Sequence, residues 1–505
     1  MNRLFGPAIV EPGDPRYRDL VLGKNEIFAP GTPDCVRVVG STEQVVEAVG
    51  DAVGASKRLA VRSGGHGYEN FVGDPEVRVV IDMSEMSAVY FDPGRRAFAV
   101  EAGATLGHVY QRLFKRWGLT IPGGGCPTVG AGGHFCGGGY GPLSRVHGSV
   151  VDHVYAVEVV VVDPRGTARA VIATREPADP NRDLWWAHTG GGGGNFGVVT
   201  RYWLRSAEPR GTEPADLLPR APASVVQASA VWPWAALTRA SFVRLVKNHG
   251  AWHERNSTPD SPEAALFSML LLFPRKDGPE SAGDAGSIVL QIVVDAATPN
   301  AASLVNDYVA AVNEGVGVEV RQGSSTTPWL RAILGGSSAE GDGTRSKHKA
   351  AYLRKCYGDP QIAAIHDYLV GPYPGQGALL GLVGYGGKVS SVEPEATAIA
   401  QRDSILKAVF VNSWNEGEDD EARRAWVRSF YQRVYRDTGG VPVPNAINDG
   451  SSINCPDGDL LDPRFNQSGV PWYTLYYKDH YPRLQAIKRR WDPRNVFRHA
   501  MSIRV

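Results

Sequence analysis

Cysteine is scarce in this chain. The five residues, Cys35, Cys126, Cys136, Cys356 and Cys455, are scattered and odd in number among 505, which argues against a disulfide framework. No CxxC or Cys/His spacing suggests zinc. Long apolar runs are also missing. Stretches such as Val159–Val162 fall far short of the roughly 18 residues that span a bilayer, so no membrane partner is expected. The opening MNRLFGPAIVEPGD lacks the apolar core of about 7–15 residues that a signal peptide needs, and the chain reads as soluble and cytoplasmic. Neither sign of charge is in excess. The 53 basic and 53 acidic side chains cancel, which argues against nucleic acid as a main partner, because such binders carry a basic patch. Internal repeats are absent. Oligomeric state is not legible.

Glycine, by contrast, is plentiful, with 59 residues, and it is concentrated. One stretch runs Val61-Arg62-Ser63-Gly64-Gly65-His66-Gly67-Tyr68; a second, from Gly123 to Gly148, reads GGGCPTVGAGGHFCGGGYGPLSRVHG. Glycine admits positive φ and lets main-chain N–H groups approach a ligand. Successive free amides make a concave anion site. The residues therefore read as a cradle for a phosphate-bearing ligand, with Arg62, Ser63, Gly64 and Gly65 around the phosphates. One histidine, His66, and one cysteine, Cys126, face it. Neither stretch has the strand–GxGxxG–helix context of a Rossmann site.

RSGGH followed sixty positions later by CPTVGxGGHxxGGGxGxxSR resembles the berberine-bridge-enzyme-like flavoproteins of the vanillyl-alcohol oxidase (p-cresol methylhydroxylase) superfamily. Within them it is most similar to the bicovalent natural-product and sugar oxidases. Gly190–Gly194 with Asn195-Phe196-Gly197, and the ending from Tyr476-Tyr477 through Tyr481-Pro482-Arg483-Leu484-Gln485 and Trp491–Phe497 to Ser502-Ile503, extend the likeness over nearly the whole chain. The resemblance implies FAD held covalently twice, by His66 on the C8α methyl and by Cys126 as a thioether on C6. A largely neutral imidazole suits the first bond and a thiolate the second. Cys136 reads as packing. Val129, Gly130, Gly133, Tyr140, Gly141 and Gly148 would line the rest of the cofactor. His480, where relatives often have an asparagine at the flavin edge, would contact the ring.

The chemistry implied is oxidation with O₂ as acceptor, and Tyr140 and Tyr385 match positions of active-site tyrosines. A phenol with a lowered pKa can take a substrate hydroxyl proton. The departure lies at Gly450–Asp457, where alcohol-oxidising relatives show GxYxNYPD and this chain has Ser452 and Cys455 in place of the tyrosines. Three readings follow. The base is another residue (Tyr140, Tyr385, Tyr473 or Tyr476, or a thiolate at Cys455), or the substrate is activated or already acidic, or the chain has drifted towards binding.

The fold class expected is α+β: a two-part FAD-binding domain plus a substrate domain whose antiparallel sheet is backed by helices. Strand–helix–strand is expected over 35–62, strand–turn–strand pairs about Pro93-Gly94 and Pro164-Arg165-Gly166, and a helix over Thr105–Trp117. A shift to Pro, Ala, Arg and Glu over 206–224 marks a boundary, giving 1–205 and 446–505 for the flavin and 206–445 for the substrate. In the latter, helices are expected over Trp234–Asn248, Ala301–Asn313 and Asp420–Asp437, and a flexible loop over Gly335–Thr344. The function expected is hydride removal from a bulky natural-product alcohol or hemiacetal, glycosylated or not. The alternatives are oxidative cyclisation or C–C/C–N bond formation, or a metabolite-binding resistance flavoprotein. The partners expected are a small-molecule substrate and O₂.

Overall fold

Three sheets organise the chain in the computed structural model, which describes residues 8–276, 285–335, 344–373, 375 and 377–505. The first sheet has four strands in the order Ala8–Val10, Cys35–Val38, Val79–Asp82, Leu59–Arg62. Its inner pairs are parallel. The crossover between Cys35–Val38 and Leu59–Arg62 is the helix Thr42–Gly54, whose Val45, Ala48, Val49 and Ala52 recur at helical spacing and are buried. Ser41 Oγ accepts the Gln44 N–H at its start. The second sheet is antiparallel and runs Val89–Asp92, Ala97–Glu101, Val198–Leu204, Val154–Val162, Ala168–Thr174. The helix expected near 105 begins at Leu106, with Thr105 as its cap.

The third sheet has seven antiparallel strands in the order Arg321–Pro328, Ser224–Pro233, Ser287–Asp295, Phe267–Leu272, Ala378–Gly384, Leu406–Asn415, Thr344–Leu353. Along Ser287–Asp295, Ile288, Leu290, Ile292 and Val294 are all buried, the period-2 pattern of a strand with one face on a core. Helices Arg239–Arg255, Ala301–Asn313, Asp359–Leu369 and Asp420–Val434 contribute buried apolar residues to that core. This is the helix-backed antiparallel sheet expected from the resemblance. Boundaries move: the helix expected over Trp234–Asn248 spans Arg239–Arg255, starting late because Thr238 Oγ1 accepts the Ser241 N–H and Trp234 turns into the core, and the helix expected over Asp420–Asp437 ends at Val434. Residues 336–343 of the expected loop Gly335–Thr344 lie outside the described residues.

Two short helices break the second glycine stretch, Ala131–Cys136 and Ser144–His147. No helix among the described residues is long and apolar enough to cross a membrane.

Candidate active site

The two glycine stretches touch. A Cβ on Gly64 would lie 2.3 Å from the Gly130 nitrogen, and one on Gly130 would lie 2.1 Å from Ser63 Oγ. Only glycine permits this approach at either position. Gly65 follows with φ 74°, and the Gly64 and Gly65 amides donate to no acceptor among the described residues. The side chains beside them are otherwise engaged. Ser63 Oγ donates to the Ala102 carbonyl at 2.6 Å. Arg62 donates through Nε and Nη2 to Asp82 Oδ2 at 2.8 and 2.6 Å, and through Nη1 to the Leu22 carbonyl at 3.0 Å. The expected cradle is thus one of main-chain amides; the Arg62 charge belongs to Asp82.

Where the stretches meet, a cavity of about 580 Å³ opens, lined by residues 62–73 and by Cys126, Val129, Gly130, Gly133 and Tyr140 among others. His66 and Cys126 converge on its wall: His66 Nε2 lies 3.0 Å and Cys126 Sγ 3.4 Å from the same Thr128 Oγ1. Cys136 behaves differently. It is buried, its sulfur lies 2.9 Å from the Tyr202 hydroxyl, and burial pushes its thiol up to about 11. Elsewhere the wall is bare main chain: a Cβ on Gly125, Gly133 or Gly193 would meet nothing within 4 Å. A large flat ligand with an anionic linker fits such a cradle, and FAD is one.

Several expected contacts are absent from this wall. Gly141 and Gly148 are not on the cavity. A Cβ on Gly141 would fall 1.6 Å from the Gly123 carbonyl oxygen, and Gly148 has φ 84°, so both shape the strap rather than meet a ligand. His480 is also away from it: Nδ1 lies 3.3 Å from the Ala398 carbonyl, the ring packs edge-on to Trp186, and burial lowers the imidazole's pKa. Tyr473 stacks on Tyr481, ring centroids 4.0 Å apart.

The other candidates gather at a narrow recess adjoining the cavity. Tyr140 and Lys407 border both, and Tyr352, Tyr385, Ser452 and Tyr476 line the recess. Tyr140 and Tyr385 rings are 4.7 Å apart, Tyr352 and Tyr385 4.9 Å. Tyr140, Tyr385 and Tyr476 are not set up to lose their protons. Tyr140 donates to the Gly384 carbonyl; burial raises its pKa, opposed by the Arg145 guanidinium. Tyr476 accepts the Asp457 N–H at 3.1 Å. Burial raises the pKa of Tyr385 and Tyr476 well above the usual phenol range. Cys455, on the cavity wall, is pushed up to about 12 by burial, so it is a thiol and no base.

Two residues here escaped the sequence reading. Tyr352 donates to Ser452 Oγ at 3.3 Å, and Lys407 Nζ sits over the Tyr352 ring, 5.8 Å from its centroid. They are register partners on adjacent strands. A lysine at the start of an apolar strand is a weak signal, and Tyr352 carries no motif. A third group, a buried ionic cluster, ties the first glycine strap to the seven-stranded sheet. Lys347 meets Glu69 at 2.7 Å and Asp457 at 2.8 Å. Lys349 meets Asp457 at 2.6 Å and Asp459 at 2.8 Å, and Arg428 meets Asp459 at 2.8 Å.

A cavity walled by glycine main chain, bearing a histidine and a cysteine and roofed by a helix-backed antiparallel sheet, defines a flavin-binding oxidoreductase. The comparisons with known proteins agree. Residues 33–171 match the family model of an FAD-binding domain and residues 452–504 that of berberine and berberine-like proteins. The chain is 54% identical over 496 residues to the aclacinomycin-N/aclacinomycin-A oxidase of Streptomyces galilaeus, across 98% of this chain and 89% of that protein. It is 30% identical over 526 residues to the hexose oxidase of Chondrus crispus, across 97% and 93%. The solved structure of a glycopeptide hexose oxidase complexed with teicoplanin matches with a TM-score of 0.93 at 49% identity, over 99% of each chain. The chain belongs to the berberine-bridge-enzyme-like FAD-linked oxidases, and it is an FAD-dependent oxidoreductase.

Proposed function

We propose that this chain oxidises an alcohol or hemiacetal of a bulky natural product, glycosylated or not, on an FAD attached twice, through His66 and Cys126. The observation that carries the attachment is the convergence of His66 Nε2 and Cys126 Sγ on the one Thr128 hydroxyl. Bound there, the flavin would supply a two-electron acceptor for the hydride on the substrate carbon, with O₂ as the final oxidant and the substrate's hydroxyl proton passing to solvent. The chain's own residues do the rest. The amides of Gly64 and Gly65 receive the diphosphate, the bare main chain at Gly125, Gly133 and Gly193 admits the rings, and the Tyr140–Tyr385–Tyr352 cluster closes the inner end against water. On this reading residues 1–205 and 446–505 hold the cofactor and 206–445 the substrate. The named activities of the relatives, on aclacinomycins and on hexoses, favour a glycosylated substrate.

Acid denaturation tests the attachment. Flavin should stay with the polypeptide and add its mass to the intact chain. His66→Ala and Cys126→Ala should each keep one bond and the double variant none; release from the native chain would refute the reading. A second reading, oxidative cyclisation of an already electron-rich substrate, is favoured by one observation: Tyr140 donates to the Gly384 carbonyl and so is not poised as a base. Anaerobic mixing separates these from a binding role. Bleaching of the flavin band with formation of a carbonyl supports the first, bleaching with ring closure the second, and binding without bleaching neither.

A further inference from the structure

The inner recess holds no carboxylate and no imidazole among its described lining residues; its one charged side chain is Lys407. Lys407 also borders the large cavity. Half-buried there, it makes no ion pair or hydrogen bond with any described residue, and its neighbour is the face of Tyr352. Two carboxylates of the region are engaged elsewhere: Glu69 with Lys347 at 2.7 Å, Asp457 with Lys347 and Lys349. Its charge is felt on both sides of the cavity. It adds to the burial that lowers His134 and opposes the burial that raises Cys455. A cation in a partly desolvated cavity without a counter-charge is a place prepared for an anion.

We infer that Lys407 is the recognition point for an ionised oxygen on the substrate, a phenolate, enolate or carboxylate, and that the protein selects acidic substrates. The inference rests on the oxidase reading for the identity of the occupant. Lys407 lies on the strand Leu406–Asn415, opposite Tyr352 and Val383, so it belongs to the sheet facing the cavity. The same arrangement accounts for Ser452 and Cys455 standing where relatives carry tyrosines. A substrate that arrives with its acidic proton already lost to solvent brings the negative charge with it. The recess then needs a fixed cation rather than a phenolate, which Lys407 would otherwise have to share.

The test is calorimetric titration of the holoenzyme with benzoate, with 4-nitrophenol on either side of its own ionisation, and with neutral benzyl alcohol. Calorimetry reads binding whether or not the probe is oxidised, and the intact mass separately reports the flavin, so failure here is distinct from failure of the oxidase reading. Ionised probes should bind at least about tenfold more tightly than benzyl alcohol, equivalent to about 1.4 kcal/mol. That preference should vanish in Lys407→Met and survive in Lys407→Arg. Whether benzoate or 4-nitrophenolate gains more separates a carboxylate from a phenolate source. Equal binding of charged and neutral probes overturns the inference. So does a Lys407→Met variant that keeps the preference while the flavin's affinity for sulfite changes, because Lys407 would then serve the cofactor.

Discussion

Lys347→Met gives a sharp test of how the strap carrying His66 is held to the substrate sheet. Lys347 is 6% exposed at its side chain and faces Glu69, Asp457 and Asp459 at 2.7, 2.8 and 3.5 Å. Within the cluster three carboxylates are balanced by Lys347, Lys349 and Arg428. Removing one cation leaves a buried negative charge uncompensated, which costs about 3–5 kcal/mol. Methionine fills the lysine stem's volume, so the loss is electrostatic and not a cavity. It also has a pH signature. Burial already pushes Glu69 above the usual carboxylate range, with Lys347 opposing; without Lys347 it rises further. A carboxyl whose folded pKa exceeds its unfolded one makes the folded chain bind a proton more readily, so stability falls as pH rises through the folded value. The variant's deficit should therefore be full at pH 8 and smaller near pH 5. Glu69→Gln added to Lys347→Met restores the balance and should recover part of the loss. Urea unfolding followed by tryptophan fluorescence at both pH values reads this directly. A deficit below about 1 kcal/mol at pH 8, independent of pH, or a double variant weaker than the single one, would refute the electrostatic account.

The other predictions concern the cavity wall. Gly130→Ala forces a methyl to within 2.1 Å of Ser63 Oγ and 2.3 Å of the Gly64 nitrogen, so the strap must part there. We expect overpacking of about 1–3 kcal/mol and loss of retained flavin, read as absorbance per polypeptide after desalting. Thr128→Val removes the hydroxyl between His66 and Cys126. Stability should change by less than about 1 kcal/mol because Thr128 is exposed, while the fraction of chains carrying both flavin bonds falls, read by intact mass. Tyr140→Phe leaves the Gly384 carbonyl without its donor, at a cost of about 1–3 kcal/mol. Turnover should stay within about tenfold of the native value, and a loss of about a thousandfold would make Tyr140 the base after all.

What could be read from the chain alone follows from which constraints are local. Gly64 and Gly130 announce themselves because a single Cβ at either would strike main chain; such a position tolerates only one residue type, and the motif survives in the letters. The strand Ser287–Asp295 is legible for a similar reason, since its alternation is set by one buried face. The strand Thr344–Leu353 is not. It reads TRSKHKAAYL, and residues 346–353 are all buried, because Lys347 and Lys349 are neutralised by Asp457 and Asp459, more than a hundred positions away. Charge in such a strand looks like loop until the partners are known. His480 failed in the opposite direction: its place in the motif suggested the flavin, but the hydrogen bond that fixes it is to Ala398, in a segment with no recognisable pattern. Lys407 and Tyr352 were invisible because their significance is the absence of anything else charged in the recess, a property of three segments brought together. Where Ser452 and Cys455 replace aromatic residues, the site gives up those two phenols but keeps a cation beside Tyr140, Tyr352, Tyr385 and Tyr476. A site altered that way has changed the sign of what it stabilises in the free protein, from a proton acceptor of its own to an acceptor brought by the substrate. Activity against a neutral sugar alcohol should then be weak at every pH, while activity against an acidic aglycone should rise with pH through that compound's own ionisation. A neutral substrate turned over as fast as its acidic counterpart would show that the base is still in the protein.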